Sequence, residues 1–169
     1  MAVREVLRYP HPALKLEART VDFGADADEI ARVAGDLTDT MRSSPGCVGL
    51  AAPQLGDLVR MIVVDVTGHR RATAEHGLLL LVNPRISRAE GAEVAREGCL
   101  SIPDLTANVR RAVVVEVEAT GSDGESVRLR TEGFEARCIQ HELDHLDGVL
   151  FLDRVDSLVD DVFRRKRSA

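Results

Sequence analysis

Apolar positions repeat along this chain with two different periods, and the switches between them mark out its elements. From Asp26 to Ser43, Ile30, Val33, Leu37 and Met41 fall three or four residues apart. That spacing predicts an amphipathic helix, with Asp26 or Asp28 available as its N-cap and Ser43-Ser44-Pro45-Gly46 ending it. Ahead of it, Pro10 and Pro12 force their predecessors toward extended backbone, so residues 9–16 read as a structured loop. Val59 to Val66 is β-branched enough to be a strand. The polar stretch 67–77 reads as a loop whose His69 and His76 lie at the surface. Leu78 to Val82 reads as a buried strand stopped by Asn83-Pro84, and Ile86 to Glu97 as another. Val109 to Ala119 and Ser126 to Thr131 flank Gly121-Ser122-Asp123-Gly124, a hairpin signal.

The helical period returns at Phe134. Phe134, Cys138, His141 and His145 follow steps of four, three and four, so the histidines belong to an inward stripe where buried imidazoles need partners. Beyond Gly148, Val149 to Leu152 reads as a short strand. A final helix is expected from about Asp156 to Arg167, with Leu158, Val162 and Phe163 on one side and an acidic start and basic end that suit its dipole. Strands joined by hairpins rather than βαβ units predict an α+β fold. Antiparallel β-sheets would pack around a central helix, with N-terminal and C-terminal helices beside them. Neither a repeat nor a linker interrupts the 169 residues, which read as one domain, 1–169.

Composition excludes several classes. Aromatic residues make up 3%, so the core must rest on Val, Leu, Ile and Ala. No stretch approaches the ~18–20 continuous apolar residues of a membrane helix, and the N-terminus has no secretory pattern. Three cysteines, an odd number, do not suggest a disulfide framework, so the expected compartment is the reducing cytoplasm. A net charge of −6 argues against broad nucleic-acid binding. The basic run Arg164-Arg165-Lys166-Arg167 is read as a solvated tail, with a transient ribosome contact left open.

The candidate chemistry lies in Gln140-His141-Glu142-Leu143-Asp144-His145. Two histidines four apart on a helix can reach one ion, and the glutamate between them can touch a water on that ion without being a ligand. A catalytic ion of this kind takes three protein ligands and keeps a position open. Position 151 is Phe, which removes the arrangement with a third histidine after Gly148, and only aspartates are offered by the segment that follows. Cys138 stands seven helical residues, ~10 Å, from His145 and cannot share an ion with it. Cys47 has no obvious partner. Cys99, carried between Gly98 and Leu100 at the end of a strand, remains as the thiolate ligand.

Three stretches together, G-L-A-A-P-Q at 49–54, E-G-C-L-S at 97–101 and Q-H-E-L-D-H-L-D-G at 140–148, resemble the peptide deformylases. So does the opening Leu7-Arg8-Tyr9-Pro10-His11-Pro12-Ala13-Leu14, and the similarity runs from about residue 4 to residue 155. The resemblance implies removal of formate from the N-terminal formylmethionine of new proteins. It implies metal binding by Cys99, His141 and His145, proton transfer by Glu142, and oxyanion stabilisation by Gln54 and the backbone N–H of Leu100. Its implied substrate-binding set is Val48, Gly49, Glu97, Phe134 and Cys138. One divalent ion is expected, Fe²⁺ in the cell, with Zn²⁺, Ni²⁺ or Co²⁺ able to substitute; the partners are formylmethionyl peptides and nascent chains, with no membrane or nucleic-acid specificity. Cys47 stands where many members have Gly, and Asp104-Leu105-Thr106 lacks an arginine that some relatives carry. Two rivals are a metallopeptidase cutting internal bonds and a closed structural metal module with Cys47 as fourth ligand.

Overall fold

The computed structural model describes residues 2–165. Its strands are β1 (Gly49–Ala51), β2 (Met61–Val64), β3 (Leu79–Glu90), β4 (Glu93–Cys99), β5 (Ile102–Arg111), β6 (Val114–Gly121), β7 (Ser126–Glu132) and β8 (Val162–Arg164). The helices are α1 (Ala27–Ser43) and α2 (Gly133–Leu146), with single 3₁₀ turns at Pro12–Lys15, Ala52–Leu55 and Phe151–Arg154. A five-stranded antiparallel sheet runs β1-β2-β3-β6-β7, and a three-stranded one runs β4-β5-β8.

Helices cover both faces of the larger sheet at β2, which is why that strand is an unbroken apolar run rather than an alternating one. Met61 and Val63 pack with Ile30, Val33, Leu37 and Met41 of α1. Ile62 and Val64 point the other way, against Ile139, Leu143 and Leu146 of α2. Fully burying such a side chain is worth about 1.5–3 kcal/mol, so α2 is fixed chiefly by this face. Its opposite face meets the small sheet, whose own core joins Cys99, Ile102, Ala107 and Val109 to Leu14 and Phe151. Helix α2 is thus buried nearly all round, charged residues included. Asp26 does sit at the N-cap of α1, but its carboxylate binds Arg19 and the Asp22 N–H instead of capping.

Several expected boundaries move. Strand β3 does not stop at Asn83-Pro84: Asn83 takes a φ of 49° and the β3–β6 register shifts between Val82 and Arg85. The missing proline N–H therefore falls at a bulge, where no ladder bond is needed. The run expected from Ile86 to Glu97 is two strands, split at Gly91 (φ 70°), after which β4 leaves for the small sheet. Val109 to Ala119 likewise divides between β5 and β6.

The C-terminal segment departs most. Val149 to Leu152 is not a strand: Asp153 accepts the Leu150 N–H at 2.7 Å and closes a 3₁₀ turn. The expected helix from Asp156 is absent among the described residues, and the remainder of that expectation, from 166, lies outside them. Ser157, Asp160 and Asp161 satisfy one another's polar groups in a turn, as Ser and Asp do in competition with helix. Val162 and Phe163 then pair with Ala107 and Thr106, covering the edge of β5.

Gly148 ends α2 at φ 67°, and a Cβ there would lie 2.7 Å from the Lys15 carbonyl oxygen; Gly46, at φ 73°, has nothing within 4 Å. Both alanine variants meet the ~1–2 kcal/mol cost of left-handed backbone, but only Gly148→Ala also meets backbone atoms. Thermal unfolding should fall by roughly 2–8 °C for Gly46→Ala and by at least about twice that for Gly148→Ala. Equal losses would contradict the close seating of the helix end on Lys15.

Candidate metal centre and its pocket

The site forms where the end of β4 meets the inward stripe of α2. Cys99 Sγ lies 3.3 Å from His145 Nε2. One ligand atom from each of Cys99, His141 and His145 falls within 4.8 Å of the others, and all three residues are buried. Burial alone would disfavour a Cys99 thiolate, yet the two imidazoles hold its pKa well below the ordinary thiol range. The donor set, one thiolate and two imidazoles, fits a zinc-like or iron-like ion. The other two cysteines are separate from it. Cys47 donates its Sγ–H to the Gly49 carbonyl at 3.1 Å, and burial pushes its pKa up to about 12. Burial likewise raises the Cys138 thiol far above its usual range.

Behind the three candidate ligands stands Glu97. Its Oε2 lies 2.9 Å from His141 Nδ1, while Arg111 Nε and Nη2 donate at 2.9 and 3.0 Å and Arg137 Nη1 at 2.8 Å. Burial works against this carboxylate, but His141 and Arg111 keep it ionised far below the usual range. An Nδ1–H donated to Glu97 fixes the imidazole tautomer and leaves Nε2 for the ion. Glu97 is expected to bind substrate and does border the pocket, but both of its oxygens are taken by His141 and two arginines. Arg111 continues the chain of charges to Asp144 at 2.5 Å, which also accepts from Arg154 at 2.7 Å. Phe151, which excluded a third histidine, stacks 6.2 Å from His141 between ring centroids.

In front of the candidate ligands lies a cavity of about 250 Å³. Glu142 borders it, buried, and its Oε2 has no hydrogen-bond partner among the described residues. Burial is the main cause that raises the Glu142 pKa to about 7, with the two imidazoles pulling the other way. Gly49 is small for a reason visible here: a Cβ on it would sit 2.7 Å from Glu142 Oε1. Gln54 is clamped with its Oε1 on the Ala51 N–H at 2.9 Å, so its Nε2 faces Cys99 Sγ at 3.4 Å and Ser101 Oγ at 3.1 Å. Val48, Gly49, Leu100, Phe134 and Cys138 all line the same cavity. Phe134 is covered by His69, stacked at 4.2 Å, and by Arg71, 4.7 Å above its ring. His69 is half-buried through this stack and does not itself line the cavity. His76 is also engaged, its Nδ1 lying 2.6 Å from buried Glu135.

The polypeptide deformylase model matches residues 3–161. The chain belongs to that family. Peptide deformylases of Syntrophobacter fumaroxidans and Desulforudis audaxviator are 40% and 43% identical to it, each alignment covering 98% of this chain and 94% and 99% of the relative. The crystal structure of a peptide deformylase from Legionella pneumophila superposes with a TM-score of 0.83 at 36% identity, covering 93% of this chain and 88% of that one. A Met-Ala-Ser-bound class I type b peptide deformylase from Acinetobacter baumannii gives 0.83 at 33% identity, covering 91% and 100%. The deformylase family is one of hydrolases, and its fold is the one described above. Among the described residues no helix is long and apolar enough to cross a membrane.

Sequence reasoning missed Ser101, which steadies Gln54, and the charged residues Arg111, Arg137 and Asp144. Arg137 stands four before His141, a cation on an inward stripe, and that position was a legible signal for a buried partner. Arg111, on a distant strand, offered none. Since the carboxylate behind a metal-binding imidazole is typically worth 10–100-fold in metal affinity, Glu97→Gln should weaken binding by about that factor in a chelator competition. Undiminished affinity in a variant with native circular dichroism would show that Glu97 serves only the arginines.

Proposed function

We propose that this chain removes the formyl group from the N-terminal formylmethionine of newly made proteins and releases formate, acting in the cytoplasm as a single catalytic domain. The observation that carries the reading is an open three-ligand set facing two polar groups aimed at the same space, Glu142 Oε2 and Gln54 Nε2. A closed structural site would give neither a role. Cys99, His141 and His145 hold one divalent cation, Fe²⁺ in the cell, for which Zn²⁺, Ni²⁺ or Co²⁺ can stand in. When bound, the cation supplies a Lewis acid that polarises the formyl oxygen and makes water a stronger acid.

The chain's own residues do the rest. Glu142 takes a proton from the attacking water and returns it to the amine as the C–N bond breaks, so formate and a free N-terminus leave with no net proton lost from the residue. Gln54 Nε2 and the Leu100 N–H donate to the oxygen that gains negative charge. Ala51 and Ser101 keep the Gln54 amide from turning, so little reorganisation is needed. Val48 and Gly49 hold the peptide backbone, and Phe134 and Cys138 border the methionine side chain. The confined cavity favours formyl, the smallest acyl group. Nascent chains are the substrates, and the basic C-terminal run, half of which lies outside the described residues, is a candidate for transient ribosome contact.

Protein prepared anaerobically with Fe²⁺ or Ni²⁺ should release formate from formyl-Met-Ala-Ser. Absence of formate above a metal-only control, at full metal occupancy, refutes the reading. Glu142→Ala should retain its metal and lose about 10²–10⁴-fold in kcat, the usual worth of a positioned acid/base. Surviving turnover would assign the proton transfer elsewhere.

A further inference from the structure

Three guanidiniums stand on the wall of the cavity with no carboxylate partner among the described residues: Arg71, Arg96 and Arg165. They come from separate places, the loop after β2, strand β4 and the residue just after β8, and all three are exposed, so they sit at the mouth. Many other arginines pair with acids, as Arg60 does with Asp147 and Arg32 with Asp57, whereas these three share one opening. In a chain of net charge −6, three unpaired cations converging on one opening make a local contrast in potential.

They are also held in place. Arg71 lies over the Phe134 ring and donates to the Arg96 carbonyl at 3.4 Å. Arg96 lies 3.5 Å over Phe163 and donates to Thr106 Oγ1 at 3.2 Å. Arg165 rests on Gly98, where a Cβ would collide with its guanidinium. Stacking on a ring occupies the face of a guanidinium and leaves N–H groups at its edge for an acceptor.

The cavity opens between β1 and β4, each an edge strand of its sheet. An extended peptide laid between those edges advances about 3.3 Å per residue, so the residues that follow its first side chain pass the mouth. We propose that Arg71, Arg96 and Arg165 make this enzyme select peptides with an acidic side chain at the second or third position. The proposal rests on the deformylase reading, since it needs the peptide's first residue in the cavity.

The test uses metal-loaded full-length protein and C-terminally amidated peptides of the forms formyl-Met-Ala-Xaa and formyl-Met-Xaa-Ala, with Xaa as Glu, Gln or Lys. At low ionic strength kcat/KM for Glu should exceed that for Lys by about 10-fold at one position or both, mostly through KM, and the ratio should shrink in ~0.5 M salt. Arg165→Ala should lower the ratio and Arg165→Lys restore it in part; Arg71→Ala/Arg96→Ala/Arg165→Ala should bring it close to one. Equal rates for Glu and Lys at both positions, or a preference that survives the triple variant, overturn the proposal. If the Gln peptides are not deformylated either, the deformylase reading fails. Calorimetric binding of the unformylated Glu and Lys peptides then decides the rim by itself, equal affinities overturning it.

Discussion

A buried carboxylate can remain charged only if cations and hydrogen-bond donors surround it, and the architecture here depends on satisfying one such group. Glu97 accepts from Arg111 on β5, from Arg137 on α2 and from the imidazole of His141. Those bonds tie the small sheet to the helix at the level where Cys99 must meet His145. The same group orients one candidate ligand and aligns the elements that carry the other two. Breaking a buried pair of this kind typically costs about 3–5 kcal/mol, a large share of the ~5–15 kcal/mol that holds a domain folded. Asp144 extends the arrangement by joining Arg111 to Arg154, so the turn after α2 is included.

Around that anchor the site is made by close approach. Gly49 gives Glu142 its room, the 3₁₀ turn at Ala52–Leu55 brings Gln54 up to Cys99, and Gly148 lets the end of α2 lie against Lys15. Each is a place where a side chain or a different backbone angle would push a residue of the candidate site away. The large sheet contributes rigidity: β2, buried on both faces, backs α2 with Ile62 and Val64. Candidate site and core thus share one helix, whose apolar side fixes it and whose polar side faces the cavity.

Much of this was legible in the sequence, for identifiable reasons. The stripe through Phe134, Cys138, His141 and His145 is helical because period and burial agree, and the helix was expected where it lies. The Gly121–Gly124 turn gave a hairpin because its glycine and polar residues fit no other local structure. The strands around Asn83 and Gly91 were misjudged because a bulge and a sheet-to-sheet crossing are tertiary decisions that leave little local trace. The C-terminal segment looked helical by spacing and charge, but the unpaired edge of β5 claimed Val162 and Phe163. At the site, three short motifs name Cys99, His141 and His145, and the fold brings these residues together. The partners of Glu97 were not, because Arg111 meets it only through the fold.

On this reading Cys99, His141 and His145 form an open three-ligand site, with Glu97 orienting His141 behind it. X-ray absorption at the metal edge of anaerobically prepared full-length protein tests it directly. One sulfur and two imidazole nitrogens are expected in the coordination shell, completed by light oxygen scatterers that exchange with solvent. Two sulfurs, or a shell filled by protein ligands alone, would contradict it.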